Sequence, residues 1–129
     1  MALEDGGYRP PPPNACDPPD EYPIEVTDVD ESGEHRIFVR QTWYKNQIVD
    51  YSIQHEVRLS PDDDWEAVYR IDTSHGSIHF HQMYRTRPER KAVITVLGPR
   101  DRDILGRSYD TSYDEVFDKI EDHFRRWGR

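Results

Sequence analysis

Apolar and polar side chains alternate with a period of two through the middle of this chain, and that period predicts β-strands. From Val49 to Leu59 every odd position is apolar or aromatic except His55, while Asp50, Ser52, Gln54, Glu56 and Arg58 fill the even ones. A half-buried strand with its odd face inward follows. Ser60-Pro61-Asp62-Asp63-Asp64 reads as a turn, after which Trp65, Ala67, Tyr69 and Ile71 resume the inward face. A second turn at Thr73-Ser74-His75-Gly76 leads into 77–84, with Ile78, Phe80 and Tyr84 on one side; a third at Arg87-Pro88-Glu89 leads into the β-rich run from Lys91 to Leu97. Short loops between successive strands make them antiparallel neighbours, a meander. Ile37 to Tyr44 reads as an earlier strand. A two-residue turn at Lys45-Asn46 sets Phe38, Arg40 and Thr42 inward, whereas a bulge sets Ile37, Val39 and Trp43 inward, so its facing stays open.

The period then lengthens. Tyr113, Val116, Phe117, Ile120, Phe124 and Trp127 recur at the spacing of one helical stripe, with Ser112 and Glu115 as a capping box and Gly128 as the stop. Such a stripe must be covered, and the odd face of the meander is the apolar surface available to it. The expected fold is therefore α+β: an antiparallel meander of four or five strands with one C-terminal helix packed on its inner face. The segment 98–107, rich in Arg and Asp, reads as a long loop.

Composition divides the 129 residues into a tail and a domain. Residues 1–32 hold seven of the ten prolines, nine acidic residues and one base, Arg9. So few apolar side chains do not offset the ordering cost, and an acidic, Pro-rich, disordered tail is expected, with only Tyr22 to Val26 lying along the edge of the domain at 33–129. The formal charge of −9 is carried mostly by that tail, since 33–129 has 17 acids against 16 bases. A local basic surface on the domain is compatible with that balance. Cys16 is the single cysteine, which excludes a disulfide framework and a cysteine-based zinc site. No apolar run reaches the about 18 residues of a membrane helix, and Met-Ala-Leu-Glu-Asp has no export pattern, so a cytoplasmic protein without membrane contact is expected. No motif for a phosphate-binding loop, a nucleophile elbow or a zinc protease is present, and no cofactor is expected.

The distinctive chemistry lies in one hairpin, Arg70-Ile71-Asp72-Thr73-Ser74-His75-Gly76-Ser77-Ile78-His79-Phe80-His81. A turn centred on Ser74-His75 pairs Arg70 with His79 and Val68 with His81 on the outer face, where Glu66 or Asp72 can join them around one small ligand. Three readings compete. The outer face can simply be polar, with Gly76 supplying a positive φ. His79 and His81 can hold a metal with Asp72 or His75, although the adjacent guanidinium of Arg70 works against a cation and no metal is expected. Or Arg70 can grip a phosphate while His79 and His81 move protons, the set that metal-free RNA cleavage requires. Arg85, Arg87, Arg90 and Lys91 cluster around the next turn as candidate contacts to an RNA backbone, with His75 beside them in that substrate-binding role. His55 reads as a hydrogen-bonded core histidine, and His123 as a cation near the C-terminal end of the helix.

The order Tyr69-Arg70-Ile71-Asp72, His75-Gly76 and His79-x-His81, preceded by Trp65 and an acidic turn, resembles small prokaryotic proteins that share an R-x-D-x-x-H-G-x-x-H-x-H hairpin. More distantly it resembles the TumE-type toxins of toxin–antitoxin pairs. The resemblance spans 35–127, and its specific part reaches Arg70, Asp72, His75, His79 and His81. It implies a toxin that cleaves or blocks RNA and is neutralised by an antitoxin. RNA, an antitoxin and a second copy of the chain are the expected partners; a non-catalytic protein-binding module is the alternative. The long acidic N-terminal segment is a departure from those toxins.

Overall fold

A computed structural model describes residues 5–128. Met1 to Glu4, which belong to the expected tail and to the stretch read for an export signal, lie outside the described residues. The chain is α+β. Six strands form one antiparallel sheet in sequential order: β1 (Asp20–Val26), β2 (Glu34–Tyr44), β3 (Gln47–Arg58), β4 (Glu66–Ser74), β5 (Ser77–Gln82) and β6 (Arg90–Val96). Two helices follow, α1 (Arg102–Asp118) and α2 (Ile120–Trp127). The meander and its helical cover match the expected class, while the count of four or five strands and one helix is corrected to six and two. Among the described residues no helix is long and apolar enough to cross a membrane.

The helices cover one face of the sheet. Val49, Tyr51, Ile53 and Val57 of β3 are all buried as the alternation requires, and Tyr51, Ile53 and Val57 join Ile37, Val39, Ile71 and Ile78 against Leu105, Tyr109, Val116, Ile120, Phe124 and Trp127. The facing of β2 is decided by a bulge at Thr42/Trp43, which follows a two-residue turn with positive φ at Lys45 and Asn46. Ile37 and Val39 therefore point inward. A second irregularity at His55/Glu56 leaves Val68 as the extra residue of β4, so Tyr69 and Ile71 face the core but Trp65 and Ala67 do not. The Trp65 ring instead lies under Arg36 at 4.2 Å and Arg58 at 4.7 Å on the outer face. β5 also stops at Gln82, short of Tyr84.

The expected helix starts ten residues earlier than its capping box, inside the stretch read as a loop. Leu105, Tyr109, Ser112 and Val116 form the buried stripe of α1. Ser112 is no cap: its hydroxyl meets that of Tyr51 at 3.0 Å, and Ser108 meets the same phenol at 2.9 Å. Gly106 and the neighbouring charges hide this stripe from a reading that discounts glycine within helices. The chain breaks at Lys119 (φ −116°, ψ 28°), where α2 begins.

A disordered 1–32 is likewise corrected for its described part. Gly6 donates its N–H to the His75 carbonyl at 2.9 Å, Tyr8 donates to Leu97 at 3.1 Å, and the buried Tyr8 phenol donates to the Val49 carbonyl at 2.7 Å. Further on, Asp17 bonds the Trp43 carbonyl and β1 pairs with β2 from Asp20↔Gln41 to Val26↔His35. Counting apolar side chains alone overlooks these backbone bonds to sheet groups that need partners.

Candidate functional site

The hairpin of β4 and β5 turns at His75-Gly76, with φ of 51° and 71°, a two-residue loop whose twist suits the strands it joins. Thr73 and Ser74 therefore remain in β4. The register is shifted by two from the expected one: Arg70 stands opposite His81 and Asp72 opposite His79, while Val68 and Glu66 take no part. A shift of two preserves the facing, so Arg70, Asp72, His79 and His81 do share the outer face.

On that face the side chains form a chain of charge-assisted bonds. Arg36 donates to Glu56 at 2.7 Å, Gln54 donates to the other Glu56 oxygen at 2.7 Å, and Arg70 donates to Gln54 Oε1 at 3.0 Å and to Asp72 Oδ2 at 2.8 Å. His81 continues it, with Nε2 3.3 Å from Asp72 Oδ1 and Nδ1 3.1 Å from Glu89 Oε2. A carboxylate only accepts, so in each of these contacts His81 is the side that can donate. His79 Nδ1 lies 3.3 Å from the Ser74 hydroxyl, and the two imidazole centroids are 6.4 Å apart. The set has the composition of a proton and anion relay, yet it is closed: His79 is 2% exposed and His81 5%.

His75 does not join them. It is exposed at the tip of the hairpin, over a cavity of about 240 Å³ lined also by Tyr8, Asp50, Thr73 and Ser77. Among the described residues no group of three or more His, Cys, Asp or Glu side chains is placed to hold a metal ion.

The basic cluster is exposed and has an unforeseen partner chemistry. Arg87 lies over the Tyr84 ring at 3.9 Å, Arg85 over Trp127 at 5.2 Å and Arg90 over Phe80 at 5.4 Å. None of these guanidinium groups is in an ion pair among the described residues. The register sets Lys91 opposite His81 on the outer face and Arg90 opposite Gln82 at the other side of the strand, so the cluster wraps the edge of the sheet. Sequence reading took Glu89 as a turn residue and missed its contact with His81. The available signal was that it is the one acid among the bases of 85–91.

A second group of histidines lies on the helix side. His35 donates from Nε2 to the Ser32 carbonyl at 2.9 Å, which leaves its Nδ1 to accept from His55 Nε2 at 2.8 Å. His55 is thus the hydrogen-bonded core histidine expected, opposite Tyr69. Its Nδ1 has no partner among the described residues, and burial, reinforced by His35 and His123, lowers its pKa to about 3. His123 is corrected from a helix-end cation to a core residue, 1% exposed and stacked on Tyr69 at 3.6 Å. Burial first, then Arg126, lowers its pKa to about 4.

A family model described as a domain of unknown function, DUF7718, matches residues 20–105, from β1 to the first turn of α1 and including the whole hairpin. No curated protein and no solved structure matches the chain.

Proposed function

We propose, for a chain that belongs to the DUF7718 domain family, an RNA-directed role of the toxin type, with metal-independent cleavage at the outer face of the β4–β5 hairpin. The observation that carries this reading is the set of Arg85, Arg87 and Arg90, each held on an aromatic ring and free of ion pairs among the described residues, at the strand edge next to His81. Guanidinium groups backed by aromatic rings bind phosphates and stack on unpaired bases, which is how single-stranded RNA is gripped with little regard to sequence. Lys91 extends the grip toward His81.

In the reaction the 2′-hydroxyl attacks the adjacent phosphorus and the bond from phosphorus to the 5′-oxygen breaks. His79 accepts the hydroxyl proton, His81 gives one to the leaving oxygen, Arg70 faces the phosphorane charge, and Asp72 orients Arg70 and His81. RNA reaches His81 by displacing Glu89, whose carboxylate occupies the anion's place. An antitoxin is the partner this role calls for, and the cytoplasm its setting.

The burial of His79 and His81 favours a second reading, a non-catalytic module that binds a protein partner and uses the outer network for rigidity. One experiment separates the two. Labelled single-stranded RNA is titrated with the full chain at low salt, then examined for cleavage, beside Arg87→Ala/Arg90→Ala and His81→Ala variants. RNA binding that falls about tenfold in the arginine variant, with cleavage lost only in His81→Ala, supports the first reading. Absence of RNA binding by the wild type rejects it, and binding without cleavage removes the catalytic half.

A further inference from the structure

A cavity of about 450 Å³, a volume usual for small-molecule sites, opens between the β2–β3 hairpin and the first half of α1. Three contacts trace its length. Arg102 stands over the Tyr44 ring at 5.1 Å, Gln47 donates to Asp103 Oδ1 at 3.3 Å, and further along Gln41 donates to the Tyr109 hydroxyl at 2.8 Å. β2 therefore runs along α1, and Trp43, between Tyr44 and Gln41, comes level with the helical turn that holds Gly106. The indole N–H of Trp43 donates to Gln41 Oε1 at 3.4 Å, which ties the ring to the residue that holds Tyr109. Gly106 lines the same cavity, yet the packing of the chain does not call for a glycine there. It lies within α1, where glycine is unfavourable, and a Cβ would meet nothing within 4 Å. A slot with a half-buried indole on the strand side and bare helix backbone on the other suits a flat aromatic ring.

The two ends of the slot differ in charge. Arg102, Gly106 and Asp110 share one face of α1, and eight residues of rise set Arg102 about 12 Å from Asp110 along the axis. Arg107 stands on the rim between them. Neither arginine, nor Asp110, enters an ion pair among the described residues, whereas Asp103 is taken by Gln47. We propose that this cavity binds a guanosine phosphate, with the base stacked on Trp43 over Gly106, the phosphate on Arg102 and Arg107, and the base edge on Asp110. Guanidinium groups pair with phosphate oxygens in parallel hydrogen bonds. A carboxylate only accepts, and guanine alone among the four common bases presents two adjacent donors, N1–H and the N2 amino group, on its pairing edge. The separation of Arg102 from Asp110 is comparable with the reach of a nucleoside monophosphate from base edge to phosphate. The site lies on the helix side of the sheet, away from the outer face of the hairpin, and it does not depend on the RNA-directed reading.

Titration of the full chain with GMP, followed by calorimetry and tryptophan fluorescence, tests it. Saturable binding with quenching is expected, and Trp43→Leu should lose the quenching and at least about tenfold in affinity, the usual effect of removing a stacked aromatic. Gly106→Leu puts a good helix former into open space, so its urea midpoint should equal or exceed that of the wild type while GMP affinity falls at least about tenfold. That variant separates loss of the site from loss of the fold. Arg102→Gln/Arg107→Gln should bring GMP down to the affinity of guanosine, and Asp110→Asn should abolish a preference for GMP over AMP of about tenfold or more. A 5′-phosphorylated oligonucleotide beginning with guanosine presents the same groups; tighter binding than GMP assigns the slot to the end of a strand, and equal or weaker binding to the free nucleotide. A wild type that binds no GMP at about 1 mM overturns the proposal, as does binding that Gly106→Leu leaves intact. Equal affinity for GMP and AMP overturns the assignment of guanine.

Discussion

Gly6 and Gly76 are glycines because each leaves room for the other. A Cβ on Gly76 would sit 2.4 Å from the Gly6 carbonyl oxygen, and the residue also holds φ at +71°. Gly106 is the opposite case: it lies within α1, and a Cβ there meets nothing within 4 Å. Gly76→Ala should therefore lose about 2 kcal/mol or more of stability, from strain together with the clash. Gly106→Ala should gain about 1 kcal/mol, the usual difference between the two residues inside a helix. Urea unfolding of both variants against the wild type measures the two signs; equal effects would mean that the N-terminal segment is not seated at the hairpin tip. The positive φ of Gly76 was legible from the turn composition. That of His75 was not, because only the register of the folded hairpin shows which two residues form the loop.

At the scale of elements, bulges decided what periodicity left open. Burial alternates throughout β3, so its facing was readable, but β2 and β4 each pair with it through one irregularity, the extra residue being Val49 of β3 in the first pair and Val68 of β4 in the second, and each reverses parity on one side of it. A period of two holds no record of a single extra residue until a neighbouring strand is present to count against. The β2–β3 turn also carries a local cost, since Lys45 and Asn46 both sit at positive φ, of 48° and 64°. Lysine has no short side chain to compensate in that region. Replacing the pair by Asn-Gly, the residues this turn geometry prefers, should raise the thermal midpoint and stabilise the sheet by about 0.5 to 1 kcal/mol, as a melting curve of Lys45→Asn/Asn46→Gly would show. A drop instead would argue against a two-residue turn with left-handed residues at this position.

The whole molecule couples its fold to pH through the buried histidines under α2. Unfolded imidazoles titrate near pH 6.5, while His55 and His123 in the folded chain have pKa values lowered to about 3 and about 4. Above pH 6.5 both are neutral in either state and stability is complete. Between about pH 6.5 and 4 the unfolded chain holds protons that the folded chain refuses, so stability falls as pH falls. At about 1.4 kcal/mol per pH unit and group, the two should remove about 4 kcal/mol between pH 7 and pH 5. Urea midpoints at the two pH values test this, and His123→Phe, which keeps a ring over Tyr69, should remove about half of the difference. A midpoint independent of pH across that range would contradict neutral burial of this pair.

By itself the sequence determined the class of the fold, the inward face of β3, the meander order, the outer placement of Arg70, Asp72, His79 and His81, and a basic cluster after Met83. These follow from local rules: alternation, turn composition and the short loops that force antiparallel neighbours. The tertiary structure alone decided that the N-terminal segment lies on the sheet, that α1 begins at Arg102, that Glu89 sits on His81, and that Arg85, Arg87 and Arg90 rest on rings drawn from three different elements and loops. Each of these is a contact between residues distant in the chain or across a turn whose register is set elsewhere. Such contacts exist only once burial and backbone pairing have brought the segments together, and no periodicity along a single strand encodes them.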